Sequence, residues 1–270
     1  MSTPAAGGAP ELLVSTEGAV RTLTLNRPQA ANAIRPEQRN AIIAALADAD
    51  DDPEVRVVVL RAEGRHFCSG ADVGGISKQS SDRHTGDGMR ILLRGAQRLI
   101  AAVLDCGKPV IASVQGPAAG MGAHLAFACD LVVAAEEASF VEAFVLRGLV
   151  LDAAGGYLLP RRIGLQRAKE LALLGDKLPA TQARELGLVN RVVPAAELAA
   201  ATAELAGRLA AGPTSAYALT KRLLNASLDQ DRASAFLAEA MAQEIQTGAH
   251  DSGEGVRAFL ERRPPQYKGW

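Results

Sequence analysis

Aromatic side chains are scarce in this chain, at 4% of 270 residues, and no stripe of basic residues runs between them. Lysines and arginines are scattered rather than clustered, and the formal net charge is -1. There is therefore no electrostatic footprint for nucleic acid, and no nucleic-acid partner is expected. Cysteine is equally thin. Cys68, Cys106 and Cys129 lie far apart with no CxxC or histidine pairing. That pattern excludes a disulfide frame and a zinc site, and predicts small, buried, reduced thiols. Long apolar runs are missing as well. The stretches VVVL and LVVAA are too short to span a bilayer, and MSTPAAGGAPELLV lacks the positive start of a secretory signal. The expectation is a cytoplasmic protein with no membrane partner and no metal site. What is present is a composition 48% hydrophobic and 22% charged. That suffices for one sizeable core, either a single large domain or a main domain with a small appendage.

Along the chain, residues 1–10 are rich in Ala, Gly and Pro and read as a frayed N-terminus. Leu12 to Ser15 and Val20 to Leu25 read as strands joined by the turn Thr16-Glu17-Gly18-Ala19. Pro36 is placed to start a helix, because its missing N–H would be unpaired there anyway, and Ile42, Ile43 and Leu46 give that helix an apolar face. Val55 to Leu60 is a β-branched run of the kind buried on both faces of a sheet. A polar loop over 76–88 precedes one helix from about Met89 to Leu104. Strands follow at Pro109 to Val114, Leu131 to Ala135 and Ser139 to Phe140, with a short helix from Ala123 to Cys129 between the first two. Beyond Gly155 the pattern predicts helices alone, several closed by a glycine cap, as at Gly175 and Gly187. The division expected is an α/β core over 11–194 and a helical region over 195–270. Its Ala- and Leu-rich faces need a partner, so a homo-oligomer is expected.

Two loops carry the chemistry. Gly64-Arg65-His66-Phe67-Cys68-Ser69-Gly70-Ala71-Asp72-Val73 follows a buried strand, and its small residues let a ligand approach the backbone. Gln115-Gly116-Pro117-Ala118-Ala119-Gly120-Met121-Gly122 lies between a buried strand and a helix, where unpaired N–H groups and the helix dipole suit an anionic oxygen. Either loop alone is more often a close-packing device. Together, with Asn26-Arg27-Pro28-Gln29-Ala30-Ala31-Asn32-Ala33 before them and Cys129-Asp130-Leu131, Gly187-Leu188-Val189 and Phe259-Leu260-Glu261-Arg262-Arg263 after, they resemble the crotonase (enoyl-CoA hydratase/isomerase) superfamily over nearly the whole chain.

The resemblance implies a crotonase-like α/β spiral of ββα units with a C-terminal helical trimerisation part, assembled as a trimer or hexamer. It implies an acyl-CoA substrate and no cofactor beyond the coenzyme A that the substrate carries. One backbone N–H from each loop would bind the thioester oxygen; the matching positions are Ala71 and Met121. Such donors, aimed at an oxygen that gains charge as an enolate forms, favour the transition state over the ground state. Coenzyme A contacts would map to Gln29, Ala31, Ala71, Asp72, Val73 and Met121, with Tyr267 and Lys268 as weaker candidates for an adenine pocket.

Acid/base groups decide the reaction, and here the chain departs from the hydratase pattern. Hydratases place glutamates where this sequence has His124 and Phe144. Eight residues beyond Phe144 lies Asp152, in Gly148-Leu149-Val150-Leu151-Asp152-Ala153-Ala154-Gly155-Gly156, which resembles the branch that carries one Asp or Glu in such a turn. That branch includes peroxisomal-type Δ3,Δ2-enoyl-CoA isomerases and the ring-epoxide isomerase of phenylacetate degradation. One carboxylate suits allylic isomerisation, which moves a proton from C2 to C4 and needs no water.

Each residue also has a plainer reading. Asp152 would cap the helix after it, or act as a nucleophile as in the dehalogenase members. His124, on an apolar helix face with Leu125 and Phe127, would be a pocket-wall residue, or would orient water or a substrate hydroxyl. Glu142 is the reserve acid/base. His66 reads as a loop-fixing residue, and His84 and His250 as surface residues. The rival functions are a hydratase using His124, Asp152 or Glu142, and a non-catalytic acyl-CoA-binding protein. A serine hydrolase is disfavoured, because neither Ser69 nor Ser113 sits in a nucleophile elbow.

Overall fold

The computed structural model describes residues 9–72 and 84–270. The first eight residues of the expected N-terminal tail, Val73, and the expected polar loop up to residue 83 lie outside the described residues.

Strands β1 (Leu12–Glu17) and β2 (Val20–Leu25) form an antiparallel hairpin, with Gly18 at φ 54° in the turn between them. Helix α1 (Pro36–Asp51) carries the chain to β3 (Val57–Ala62), which pairs in parallel with β2. The single helix expected before the next strand is two, α2 (Asp87–Leu93) and α3 (Ala96–Asp105). The break falls at buried Gly95, where a Cβ would meet the Ile91 carbonyl at 2.3 Å and the Arg39 guanidinium at 2.6 Å. Strands β4 (Val110–Val114) and β6 (Leu131–Ala135) extend the parallel sheet on either side of β5 (Ala118–Ala119) and α4 (Met121–Ala128). Then come β7 (Ser139–Val141), α5 (Gly155–Leu174), β8 (Lys177–Pro179), α6 (Ala180–Glu185) and β9 (Arg191–Val193). Helix α5 is interrupted at Gly164, whose φ of 75° and ψ of 160° are not helical.

Two sheets result. The larger has the order β1-β2-β3-β4-β6-β9 and the smaller β5-β7-β8. The expectation of helices alone after Gly155 is therefore corrected. Strand β9 closes the edge of the main sheet against β6, and β8 pairs antiparallel with β7. Each is three residues long, too short to show the period-2 alternation that marks a strand.

In the all-buried run of β3 the side chains alternate between two cores. Val58 and Leu60, with Val110 and Ala112, pack in the core that includes Leu99 and Ile100 of α3 and Leu125 of α4. Val57 and Val59, with Ile111 and Val133, face Leu198, Leu205 and Ala206 of α7 (Leu198–Ala210). That packing moves the expected boundary at residue 195. Helix α7 covers the second face of the sheet, so the appended helical part begins after it, with α8 (Thr214–Ala226), α9 (Arg232–Thr247) and α10 (His250–Glu261). The three cysteines are buried and unpaired, as expected, and burial pushes the Cys68 and Cys129 thiols up to about 12. Among the described residues no helix is long and apolar enough to cross a membrane.

Candidate active site

Parallel strands deliver both loops to the same end of the main sheet, because loop and strand succeed one another in the same sense at β3 and β4. Two side-chain amides hold the first loop. Asn32, fully buried and in the left-handed region (φ 53°) that asparagine tolerates, donates from Nδ2 to the carbonyls of Glu63 at 2.8 Å and His66 at 2.7 Å. The Nε2 of Gln115 lies 3.0 Å from the carbonyls of Ala62, Gly64 and His66. His66 thus fixes its loop through its carbonyl rather than its ring.

The second loop is stitched directly to the first. Phe67 N–H donates to the Pro117 carbonyl at 3.1 Å, and Ala119 N–H to the Cys68 carbonyl at 2.9 Å. The approach is so close that glycine is required. A Cβ at Gly116 would stand 1.9 Å from the Arg65 oxygen, and one at Gly122 would stand 2.2 Å from the Cys68 oxygen.

Backbone polarity then decides which amides stay free. Ala71 forms a parallel bridge to Ile34 in which the Gly70 carbonyl accepts from Ile34 N–H at 2.8 Å and Asp72 N–H donates to the Ile34 carbonyl at 3.0 Å. Peptide groups alternate along an extended chain, so the Ala71 N–H faces away from Ile34. Met121 is the first residue of α4, and the first back-bonded amide there is His124 N–H to the Gly120 carbonyl at 3.0 Å. Among the described residues neither the Ala71 nor the Met121 amide has an acceptor. A Cβ on the intervening Gly70 would lie 3.7 Å from the Met121 nitrogen, so the two amides are neighbours.

Asp152 sits at the end of a turn that starts at Phe144 and passes through Gly148 (φ 65°). Its carbonyl accepts from Gly155 N–H at 2.9 Å, while Ala153 and Ala154 are both held in the left-handed region at φ 46° and 63°. That conformation costs about 1–2 kcal/mol for each L-residue. The helix-cap reading of Asp152 is corrected: the residue preceding α5 is Ala154, and no side chain caps it. The Asp152 carboxyl is half-buried, and burial raises its pKa above the ordinary aspartate value, against the opposing charge of nearby His124.

His124 is fully buried, on the first turn of α4. Its Nε2 lies 2.9 Å from Oε2 of Glu142, itself 4% exposed, and its ring stacks on Phe144 with centroids 5.6 Å apart and planes 13° apart. Sequence reasoning placed Glu142 only in reserve. What it missed is that three-residue β7 pairs with β5, which carries Glu142 to the first turn of α4.

The remaining expected positions are dispersed. Gln29 is exposed on a short turn, and Ala31 (φ 50°) ends that turn with its carbonyl accepting from Ser69 N–H at 3.0 Å. The Asp72 carboxylate pairs with Arg27 at 3.0 Å and Arg35 at 3.5 Å, which ties the first loop to the 27–35 turn. Val73 lies outside the described residues. Tyr267 and Lys268 are not brought to this site within the chain. The Tyr267 carbonyl accepts from Arg56 at 2.9 Å, and Lys268 N–H donates to Asp251 at 2.7 Å. Arg56 precedes β3, at the opposite end of the sheet from the loops. His250, expected on the surface, is partly buried beside Asp251 and against the Trp270 ring at 5.2 Å; His84 is exposed.

A parallel sheet carries two stitched loops that leave neighbouring amides open, and a half-buried carboxylate lies near His124 on the helix that follows the second loop. The chain belongs to the enoyl-CoA hydratase/isomerase family, whose model matches residues 15–270. It is 38% identical over 247 residues to a probable enoyl-CoA hydratase of Rhodobacter capsulatus, covering 92% of this chain and 93% of that protein. It is 37% identical to the 1,2-epoxyphenylacetyl-CoA isomerase of Escherichia coli, covering 96% and 98%. Among solved structures, a putative enoyl-CoA hydratase from Streptomyces coelicolor superposes with a TM-score of 0.90 at 37% identity, with both chains covered in full. The fold is the crotonase fold that the sequence implied.

Proposed function

We propose that this family member shifts a double bond in an enoyl-CoA, with Asp152 as the only acid/base. One observation carries the reading: the two positions that hold carboxylates in the hydratase pattern are His124 and Phe144, and their rings stack on each other. An acid/base pair for water is absent there, while Asp152 is neither a helix cap nor ion-paired among the described residues. In the proposed reaction the thioester oxygen accepts hydrogen bonds from the Ala71 and Met121 amides. Asp152 takes a proton from C2 of a 3-enoyl-CoA, the dienolate charge gathers on the oxygen, and the proton returns to C4. Each backbone donor of this kind is worth about 3–4 kcal/mol of barrier. The coenzyme A moiety would lie along Gln29 and Ala31, and no separate cofactor takes part.

The hydratase reading draws support from the names of several relatives. It would need His124, Asp152 or Glu142 to handle water; His124 and Glu142 are buried, which leaves Asp152 alone where a pair is wanted. A homo-oligomer, trimer or hexamer, would cover the exposed apolar face of α9 and α10, which includes Phe236, Leu237, Met241 and Phe259.

The deciding experiment offers 3-enoyl-CoA and 2-enoyl-CoA separately in deuterated water. Migration of the double bond in the 3-enoyl ester, lost in Asp152→Asn, is the expected result. Hydration of the 2-enoyl ester with Asp152→Asn fully active would overturn the proposal.

A further inference from the structure

The buried contact between Glu142 and His124 has no part in the reaction just described, yet its placement joins it to Asp152. Among the described residues Glu142 makes one side-chain hydrogen bond, at 2.9 Å to Nε2 of His124. An ionised carboxylate can only accept, so Nε2 is the nitrogen that carries a proton toward Glu142. Nδ1 is inaccessible to solvent and has no partner among the described residues. The Cε1–Nε2 edge of the ring meets the Asp152 turn. A Cβ on Gly155 would lie 2.3 Å from Cε1 and 2.5 Å from Nε2 of His124, so the imidazole rests on the bare Cα of Gly155. Gly155 N–H in turn bonds the Asp152 carbonyl at 2.9 Å, across the two strained alanines. The ring also stacks on Phe144, where the same turn begins.

We propose that Glu142 and His124 form a positioning pair: the carboxylate locks the imidazole in one orientation and tautomer, and the ring is the floor on which the Asp152 turn is held. Neither residue touches the reacting atoms. The inference rests on Asp152 being the acid/base of the proposed isomerase. It adds that two alanines in the left-handed region stay there because the ring closes the space they would otherwise relax into. A carboxylate displaced by about an ångström loses roughly a hundredfold in rate, and binding of the coenzyme A portion is unaffected.

Three measurements on the full-length chain test this. In the wild type, nitrogen-15 NMR of the His124 ring should place its proton on Nε2. Glu142→Leu should lower kcat at least tenfold with KM within about twofold, whereas Glu142→Gln, whose amide oxygen still accepts from Nε2–H, should lose no more than about threefold. Glu142→Leu combined with His124→Phe should be no slower than the worse single variant, because the two act as one unit. A proton on Nδ1 with Nε2 bare, wild-type kcat in Glu142→Leu, or equal losses in the Leu and Gln variants would each overturn the pair. Should Glu142→Leu show no cooperative melt, the wild-type tautomer decides alone. Asp152→Asn separates the two layers. An active Asp152→Asn removes the proposed function, whereas an inactive one beside a fully active Glu142→Leu removes only the pair.

Discussion

The imidazole of His124 and the ring of Phe144 lie face to face, 5.6 Å between centroids, at the two positions where the hydratase pattern has glutamates. The stack makes a packed wall at those positions, and in the proposed reaction proton transfer falls to Asp152 across the turn. That division of labour has measurable consequences for rate, pH dependence and stability.

Burial lifts the Asp152 carboxyl above the ordinary aspartate range, and in the proposed reaction its ionised form is the base. Isomerase kcat is therefore expected to rise with pH through a midpoint above the ordinary aspartate value, and to fall tenfold per pH unit below that midpoint. A group whose folded-state pKa is raised lowers stability once pH exceeds its unfolded value, and the burden is complete above the folded value. Asp152→Asn removes that burden. It should lose about two to four orders of magnitude in kcat while melting at or above the wild-type temperature at neutral pH. A large drop in melting temperature would contradict this.

Gly122→Ala drives a Cβ to 2.2 Å from the Cys68 oxygen, and neither atom belongs to a flexible side chain. The expected cost is about 1–3 kcal/mol of stability. A fall in kcat of at least tenfold should accompany it, because separating the loops moves the Ala71 and Met121 amides. Gly156→Ala, with nothing within 4 Å of the added atom, is the control. It should stabilise by up to about 1 kcal/mol in a thermal melt.

Ala154→Gly relieves a residue at φ 63° and should stabilise the fold by about 1 kcal/mol. The same change frees the turn that presents Asp152, so kcat should fall while the melting temperature rises. A variant that is both more stable and equally active would show that the strain has no functional consequence.

The C-terminal tail is held by Asp251, whose carboxylate accepts from Lys268 N–H at 2.7 Å and Gly269 N–H at 2.6 Å. Asp251→Ala should cost about 2–4 kcal/mol by denaturant titration, since two charge-assisted bonds are lost and their donors remain. Tyr267 and Lys268 are remote from the site within one chain, so the monomer-equivalent kcat is expected to stay within twofold of wild type.

The order of residues sufficed for much of this. The β-branched runs of β3, β4 and β6, the Pro start of α1 and the glycine caps at Gly175 and Gly187 are local signals, and local signals survive in one dimension. So do the two glycine loops, because an added Cβ would stand 1.9 Å from a backbone oxygen at Gly116 and 2.2 Å from one at Gly122. Asp152 could be named from its turn, but not freed from the cap reading until α5 was seen to start behind Ala154. Strands β8 and β9 stayed hidden, since three residues carry no periodicity and their pairing partners lie far away in sequence. For the same reason only the tertiary structure could bring Glu142 to His124, place the tail holding Tyr267 at the far end of the sheet, and assign α7 to the core. Each depends on which surfaces meet across long loops, and that is settled by packing against partners that no neighbouring residue announces.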